Sequence, residues 1–160
     1  MSSQGLELRP AVPSDFPAIA RLLNAAHPVA GVLASESAET VKERSEEALV
    51  IVAADQGTIA ATLTAAAAGT YYGRLARTGQ MEVSRLAVAP EYQGRRIGKA
   101  MLLTFARNCQ RQGVQALVGA TLPSMTTAQQ LYDSIGAERG TIPGTRAIGY
   151  TLHLTNDEEN

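Results

Sequence analysis

The sequence predicts an α/β fold in which about four helices cover a mixed central sheet of about six to seven strands. The first observation is the mixture of repeats, because segments with strand-like alternation occur along the whole chain between segments with the helical repeat. The second is their order, β-α-α-β-β-β-α-β-α-β-β, which fits neither a helix bundle nor a β-sandwich. The third is the length of 160 residues, which is typical of one compact domain over 1–160, with an ordered core at about 6–154.

The N-terminal segments are predicted as one strand and two helices. Leu6 to Arg9 alternates apolar and polar residues, and Pro10 would stop this short strand. Ser14 is predicted to be the N-cap of the first helix, with Asp15 in its first turn. A second helix is expected from about Ser37 to Glu47. The buried face of the first helix would consist of Phe16, Ile19, Ala20, Leu22 and Leu23.

The middle of the chain predicts three strands. Leu49 to Ala54 and Thr58 to Ala67 are expected to form a hairpin, because the sequence Asp55-Gln56-Gly57 between them favours a tight turn. Met81 to Val88 has the clearest strand pattern in the chain and ends before Pro90. The remaining predicted elements are a helix from about Gly98 to Gln112 that stops at Gly113, a strand at Ala116 to Thr121, a helix at Thr126 to Ile135 that stops at Gly136, and two strands around Arg139 to Ile142 and Ala147 to Leu154.

Composition excludes several classes of function. A formal charge of −1 gives no reason to expect nucleic-acid binding, and no apolar run approaches the roughly 18 residues that span a bilayer. The first residues lack the charged and apolar regions of a secretory signal. The single cysteine, Cys109, rules out an internal disulfide and is expected to pack on the buried face of its helix. The expected setting is cytoplasmic.

One stretch, Leu86 to Ala100, combines a strand end, a short basic turn and a helix start. Helix N-termini present N–H groups that lack intrahelical partners and a partial positive charge, so they bind phosphate groups. Gly94 and Gly98 would let the backbone approach a ligand closely. A nucleotide P-loop is excluded, because three residues separate these glycines where that motif needs four, and Ala100 offers no hydroxyl for magnesium. A basic surface turn that merely contains two glycines stays open on this stretch alone.

The same stretch resembles motif A of the GNAT superfamily of N-acetyltransferases, whose pattern is Gln/Arg-x-x-Gly-x-Gly/Ala. Gln93 takes the first position and Gly98 the last, while Arg96 stands where the middle glycine is usual. The pattern can also be read from Arg95 to Ala100, two residues later. The first register is preferred, since it keeps the family's usual distance from the Leu-Ala-Val-x-Pro strand end.

A second segment, Ala128 to Ala137, looks like the family's Ala-x-x-Leu-Tyr-x-x-x-Gly-Phe segment. Ala137 replaces the phenylalanine, and Met125 sits where an asparagine often contacts the cofactor. The resemblance in element order covers Leu6 to Leu154, nearly the whole chain.

The resemblance implies a fold in which two parallel strands splay apart, here Met81 to Val88 and Ala116 to Thr121. It also implies acetyl-CoA as co-substrate, with its pantetheine arm in the gap. No metal is expected, since His27 and His153 are too few, without a cysteine or carboxylate cluster, to suggest a zinc site. Backbone groups of Leu86 and Val88 would pair with the pantetheine amides like an added strand. The residues implied to bind the cofactor are Leu86, Ala87, Val88, Gln93, Gly94, Arg95, Arg96, Ile97, Gly98, Lys99 and Ala100.

Two residues are implied to act in catalysis. Glu82 stands where several family members carry a catalytic glutamate, and it would remove the proton of the acceptor amine. The alternative is that Glu82 only pairs with an arginine or attracts a cationic substrate. Tyr132 matches the tyrosine that commonly protonates the CoA sulfur, and the alternative is a tyrosine that only packs beneath its helix.

The acceptor implied by the resemblance is a primary amine of a small molecule or protein, attacked directly. The alternative is a catalytically inactive acyl-CoA-binding sensor or subunit. His27, Tyr71 and Tyr72 lie in connections that can border an acceptor site, and the resemblance also allows a homodimer. Five glutamates in and before the second helix form a charged face that is expected to be solvated: Glu36, Glu39, Glu43, Glu46 and Glu47.

Overall fold

The computed structural model describes residues 5–26 and 35–154, and the predicted order of helices and strands is confirmed. His27 lies outside the described residues. The strands are β1 (Leu6–Pro10), β2 (Leu49–Asp55), β3 (Thr58–Ala67), β4 (Gln80–Val88), β5 (Ala116–Thr121), β6 (Glu138–Thr141) and β7 (Ile148–His153). The helices are α1 (Phe16–Ala26), α2 (Ala38–Glu47), α3 (Ile97–Arg111) and α4 (Thr126–Ser134). Short 3-10 turns at Pro13–Asp15, Tyr71–Gly73 and Pro90–Tyr92 are additional to the prediction.

The seven strands form a mixed sheet in the order β1-β2-β3-β4-β5-β7-β6, and β4 and β5 are its parallel pair, as predicted. The register of this pair runs from Gln80 opposite Ala116 to Glu82 opposite Val118. Within the described residues that register ends at Glu82, although β5 continues to Thr121. The splay of the two strands therefore begins next to Glu82.

The chain forms two compact units, and the prediction of one domain over 1–160 stays a prediction. The first unit is Met1–Ala65 with Arg85–Met101, and the second is Ala66–Ser84 with Leu102–Asn160. The predicted buried face of α1 is confirmed, since Phe16, Ile19, Ala20, Leu22 and Leu23 are all buried. These side chains form the core of the first unit together with Val41, Val50, Val52, Ala87 and Ala89.

The start of α1 differs from the prediction. Ser14 lies inside a 3-10 turn, and α1 begins at Phe16. The capping carboxylate belongs to Asp15, which accepts a hydrogen bond from the Val12 amide at 2.8 Å and one from Arg9 at 2.7 Å. The hydrogen bond from Arg9 holds the pKa of the Asp15 carboxyl below its usual value. The ion pair between Arg9 of β1 and Asp15 thus decides which side chain caps the helix start. Local helix preferences alone do not show this contact.

The hairpin between β2 and β3 has the predicted turn. Gln56 and Gly57 have φ angles of 50° and 89°, as the two central residues of a type I′ turn require. Asp55 pairs with Thr58 on either side of them.

A buried ion cluster in the first unit consists of Glu36, Thr40, Arg44 and Arg85, and we call it the Glu36 cluster. The Glu36 carboxylate accepts hydrogen bonds from both terminal nitrogens of Arg44, at 3.1 and 3.3 Å, and from the Thr40 hydroxyl at 3.0 Å. The Arg85 Nε lies 3.6 Å from the second Glu36 oxygen. Because the side chains of Glu36 and Arg44 are only 6% and 3% exposed, the prediction of a solvated face is wrong for Glu36.

The second unit contains the parallel pair of β4 and β5, the antiparallel strands β7 and β6, and the helix α4. Both predicted glycine stops are confirmed, because Gly113 and Gly136 have φ angles of 90° and 83° at the ends of α3 and α4. No helix of the described residues is both long enough and apolar enough to cross a membrane.

Candidate active site

A strand-to-helix turn at residues 89–97, in the first unit, leads from β4 into α3. The Ala89 amide donates to the Ala60 carbonyl of β3 at 2.8 Å, which fixes the start of the turn. The Tyr92 hydroxyl donates to Asp55 Oδ2 at 2.9 Å and ties its middle to the end of β2. The Gln93 side-chain amide folds back on the Val88 carbonyl at 3.2 Å. The turn is thus held from three sides by contacts within its own unit.

Two residues of this turn have left-handed backbones. Gly94 has a φ of 81° and Arg96 a φ of 60°. Arg96 stands where the family pattern has a glycine, so the arginine keeps the glycine conformation despite its Cβ. A non-glycine residue in this region costs roughly 1–2 kcal/mol, and such strain persists only where the surrounding structure imposes it.

The chain beyond the turn forms a helix start whose geometry suits an anion. Ala100 is the residue whose N–H donates to the Arg96 carbonyl, at 3.1 Å, so the amides of Ile97 and Gly98 precede the first hydrogen bond of α3. Ile97 is buried, whereas Arg95 and Arg96 are exposed. Nothing lies within 4 Å of the position a Cβ would take on Gly94. Open amides, open space and basic side chains together suit a phosphate group.

We expect Arg96→Gly to stabilise the protein by about 0.5–1 kcal/mol, because relief of the left-handed strain exceeds the entropy that a glycine adds to the unfolded chain. Urea unfolding followed by circular dichroism measures this change. Arg95→Gly is the matched control, since it removes the same charge from a neighbouring exposed position without a left-handed φ. A destabilisation of the same size in both variants would contradict the strain at Arg96.

Glu82 occupies the last paired position of β4, in the second unit. Its carboxylate accepts a hydrogen bond from the Leu75 amide at 2.9 Å, which ties it to the segment that carries Tyr71 and Tyr72. Tyr71 is 61% exposed, and the Arg74 guanidinium lies 4.4 Å from the centre of its ring. This hydrogen bond fixes the position of the Glu82 carboxylate at this end of the strand pair.

Tyr132 of α4 is buried and closely held in the second unit. Its ring stacks on that of Tyr150 from β7, with 4.8 Å between the ring centres and an interplanar angle of 19°. Burial, with smaller contributions from the charges of Glu82 and Tyr150, raises the pKa of the Tyr132 phenol to about 12. The structure therefore brings the two predicted catalytic side chains into electrostatic reach of each other, with the phenol neutral at physiological pH.

Two residues that contact Tyr132 were not among the site residues predicted from the sequence. Tyr150 supplies the stacked ring, and Gly119 of β5 provides the surface against which the phenol lies. A Cβ on Gly119 would be 3.1 Å from the Tyr132 hydroxyl oxygen and 3.1 Å from the Val83 carbonyl oxygen. The sequence did contain one signal, a glycine in the interior of a predicted strand. Such a glycine often marks a place where another group approaches the strand backbone closely.

The position of the family's asparagine is occupied differently here. The Met125 sulfur accepts the Leu122 amide at 3.3 Å, and the Gln129 side chain donates to the Leu122 carbonyl at 2.9 Å. These two contacts hold the loop before α4. Among the described residues, no group of three or more His, Cys, Asp or Glu side chains is placed to hold a metal ion.

Comparison with known families and structures agrees with this geometry. The model of the acetyltransferase (GNAT) family matches residues 16–137. A search of curated proteins found no match.

Several solved structures share the fold. The ribosomal-protein-S18-alanine N-acetyltransferase from Escherichia coli is 22% identical, with a TM-score of 0.74 and 97% of each chain covered. A phosphinothricin acetyltransferase from Sinorhizobium meliloti, solved with acetyl-CoA, is 20% identical, with a TM-score of 0.74 over 94% of this chain and 89% of that chain. A putative acetyltransferase from Salmonella typhimurium, solved with its cofactor acetyl-CoA, is 18% identical, with a TM-score of 0.70 and 95% of each chain covered.

Proposed function

Because the chain belongs to the acetyltransferase (GNAT) family, we propose that it transfers the acetyl group of acetyl-CoA to a primary amine of a small molecule or protein. The observation that carries the proposal is the strand-to-helix turn, whose left-handed Gly94 and Arg96 open the start of α3 toward a phosphate group. Solved relatives of the same fold that contain acetyl-CoA support this choice of co-substrate.

The turn supplies the proposed binding contacts. The amides of residues 94–98 would hold the pyrophosphate, and Arg95, Arg96 and Lys99 would attract it. The backbone of Leu86 and Val88 would pair with the pantetheine amides. Gln93 would contribute to binding indirectly, because its side-chain amide donates a hydrogen bond to the Val88 carbonyl and fixes the end of β4.

Acetyl-CoA, when bound, supplies a thioester whose acyl carbon the amine attacks. Glu82 would take the proton that the amine loses, directly or through water. Tyr132 would donate to the leaving sulfur. Its pKa of about 12 exceeds that of an ordinary thiol, about 8.5, so the main contribution of the hydroxyl is a hydrogen bond to the charge that develops on sulfur.

Titration calorimetry with acetyl-CoA and with free CoA tests the proposed binding. We expect micromolar binding of both, and Gly98→Glu should weaken it at least about tenfold, because a carboxylate at the start of α3 repels the pyrophosphate. Gly140→Glu is the control, since Gly140 lies exposed on β6 with nothing within 4 Å of its Cβ position. Absence of binding up to millimolar acetyl-CoA would overturn the proposal.

Glu82→Gln is expected to lower kcat/KM for the acceptor at least about tenfold, because general bases contribute about 10²–10⁴-fold and the charge is lost. The amide oxygen of glutamine can still accept the Leu75 N–H, so the local fold is retained. A CoA-thiol release assay over a panel of amines measures the change. A smaller loss would assign Glu82 to holding the Leu75 segment, and CoA binding without turnover of any amine would favour the acyl-CoA sensor.

A further inference from the structure

Gly119 and the two stacked tyrosines form one arrangement on a single face of the sheet. Gly119 is the partner of Tyr150 in the antiparallel register of β5 and β7, so both residues point to the same face. The Tyr132 ring stacks on Tyr150, and its hydroxyl then lies over Gly119. All three residues belong to the second unit and are buried.

A side chain on Gly119 would crowd the Tyr132 hydroxyl. A Cβ at Gly119 would sit 3.1 Å from the Tyr132 oxygen and 3.6 Å from its Cζ, closer than ordinary van der Waals contact for the oxygen. Tyr150 blocks the ring on its stacked side, at 4.8 Å between the ring centres. On β4, the Val83 carbonyl oxygen would be 3.1 Å from the same Cβ, and it belongs to the backbone. An added methyl group must therefore displace the phenol or the strand.

The site is next to the point where β4 and β5 part. The last paired position is Glu82 opposite Val118, and Gly119 is the next residue of β5. A side chain at Gly119 would thus crowd the Tyr132 hydroxyl at the beginning of the splay.

We infer that Gly119 is a positioning residue for acetyl transfer: by having no side chain, it admits the Tyr132 hydroxyl to the start of the gap between β4 and β5. The inference rests on the proposed function, in which the Tyr132 hydroxyl donates a hydrogen bond to the leaving sulfur. Gly119 itself touches no reacting atom and acts through Tyr132.

The test is a double-mutant cycle of Gly119→Ala and Tyr132→Phe, with kcat, KM and acetyl-CoA affinity measured for each protein. A misplacement of about 1 Å can cost about 10²-fold, so a displacement of a few tenths of an ångström in Gly119→Ala should lower kcat about tenfold. The affinity for acetyl-CoA should change less than about twofold, because the strand-to-helix turn is untouched. In the Tyr132→Phe background, Gly119→Ala should leave the residual kcat within about twofold, since the hydroxyl it displaces is already absent.

Gly140→Ala is the matched control, because it makes the same substitution in a strand of the same unit with open space at the Cβ position. It should have the kcat of the unmodified protein. If Gly119→Ala folds poorly, unfolding curves provide a second readout. Tyr132→Phe removes one of the two atoms nearest to the added methyl, the other being the Val83 carbonyl oxygen, so the double variant should lose less stability than the two single changes together.

The outcomes separate this inference from the proposed function. Unchanged kcat in Gly119→Ala, or an equal loss in both backgrounds, would overturn the role of Gly119 while leaving Tyr132 in place. Unchanged kcat in Tyr132→Phe alone would overturn the role of the hydroxyl, and Gly119 would then have no catalytic group to position. A loss in Gly119→Ala that disappears in the Tyr132→Phe background supports the inference.

Discussion

Tyr132→Phe is expected to lower kcat for acetyl transfer by about 10²–10³-fold, the loss typical of one preorganised hydrogen-bond donor removed from a developing charge. The substitution keeps the ring and its stacking on Tyr150, so the fold should be unchanged. KM for acetyl-CoA should stay within about twofold, because the proposed phosphate contacts lie on the strand-to-helix turn. Steady-state kinetics by CoA-thiol release provides the measurement.

The pH dependence gives a second check on Tyr132. A pKa of about 12 means that the phenol keeps its proton throughout the range from pH 7 to 10. The ratio of kcat between the unmodified protein and Tyr132→Phe should therefore be constant over that range, with no alkaline decline that the substitution removes. Tyr150→Phe, which alters only the stacked neighbour, should keep nearly full kcat. A ratio that falls toward one below pH 10 would contradict the stated role.

Glu36→Ala is expected to destabilise the protein by about 3–5 kcal/mol, the usual effect of removing one partner of a buried ion pair. Arg44, with a side chain only 3% exposed, would keep its charge and lose the carboxylate that accepts two of its hydrogen bonds. The free energy of unfolding in urea measures the loss. This estimate follows from the desolvated charge that remains, and it does not depend on the enzymatic proposal.

Two comparisons test the physical cause of that loss. Glu46→Ala removes the partner of Lys42 on the exposed side of α2, the helix that also carries Arg44. The Glu46 and Lys42 side chains are 61% and 56% exposed, so stability should change by less than about 0.5 kcal/mol. The double variant Glu36→Leu with Arg44→Met should be more stable than Glu36→Ala, because the most buried charge of the cluster, that of Arg44, is removed together with its partner. Arg85, whose side chain is 23% exposed, keeps its charge in both variants and does not change the comparison. Equal losses in Glu36→Ala and Glu46→Ala would show that the Glu36 cluster contributes as little as a surface pair.

The sequence predicts local features well where the signal is local. The hairpin turn at Gly57 and the stop at Gly113 follow from glycines, which readily adopt the positive φ that both positions have. The buried face of α1 follows from helical spacing alone. In each case the deciding interaction involves residues close together in the chain.

The features that the sequence analysis missed depend on partners distant in sequence. Asp15 caps the first turn because Arg9 of β1 reaches it, and Glu36 is buried because Arg44 turns inward with it. The contact of Gly119 with Tyr132 joins β5 to α4 and cannot be derived from either segment separately. For the candidate site, the pattern located the turn and Tyr132, while the geometry around Tyr132 required the fold.

Arg96 shows how a motif can be obscured while its conformation is kept. The family pattern names a glycine at this position, and here the arginine has a left-handed backbone with a φ of 60°, a conformation that favours glycine. What the turn requires is the backbone angle, so the residue type alone is an incomplete test of whether the turn is present.

The burial of Cys109, the single cysteine, has a practical consequence for the experiments above. It is the single cysteine of the chain, it is 5% exposed on α3, and burial raises the pKa of its thiol to about 11. At pH 8 only about one molecule in a thousand would carry the thiolate that reacts with thiol reagents. The folded protein should therefore contribute almost no background to a colorimetric CoA assay. For the same reason, a cysteine introduced at an exposed position would take a fluorescent label selectively, without prior removal of the native one.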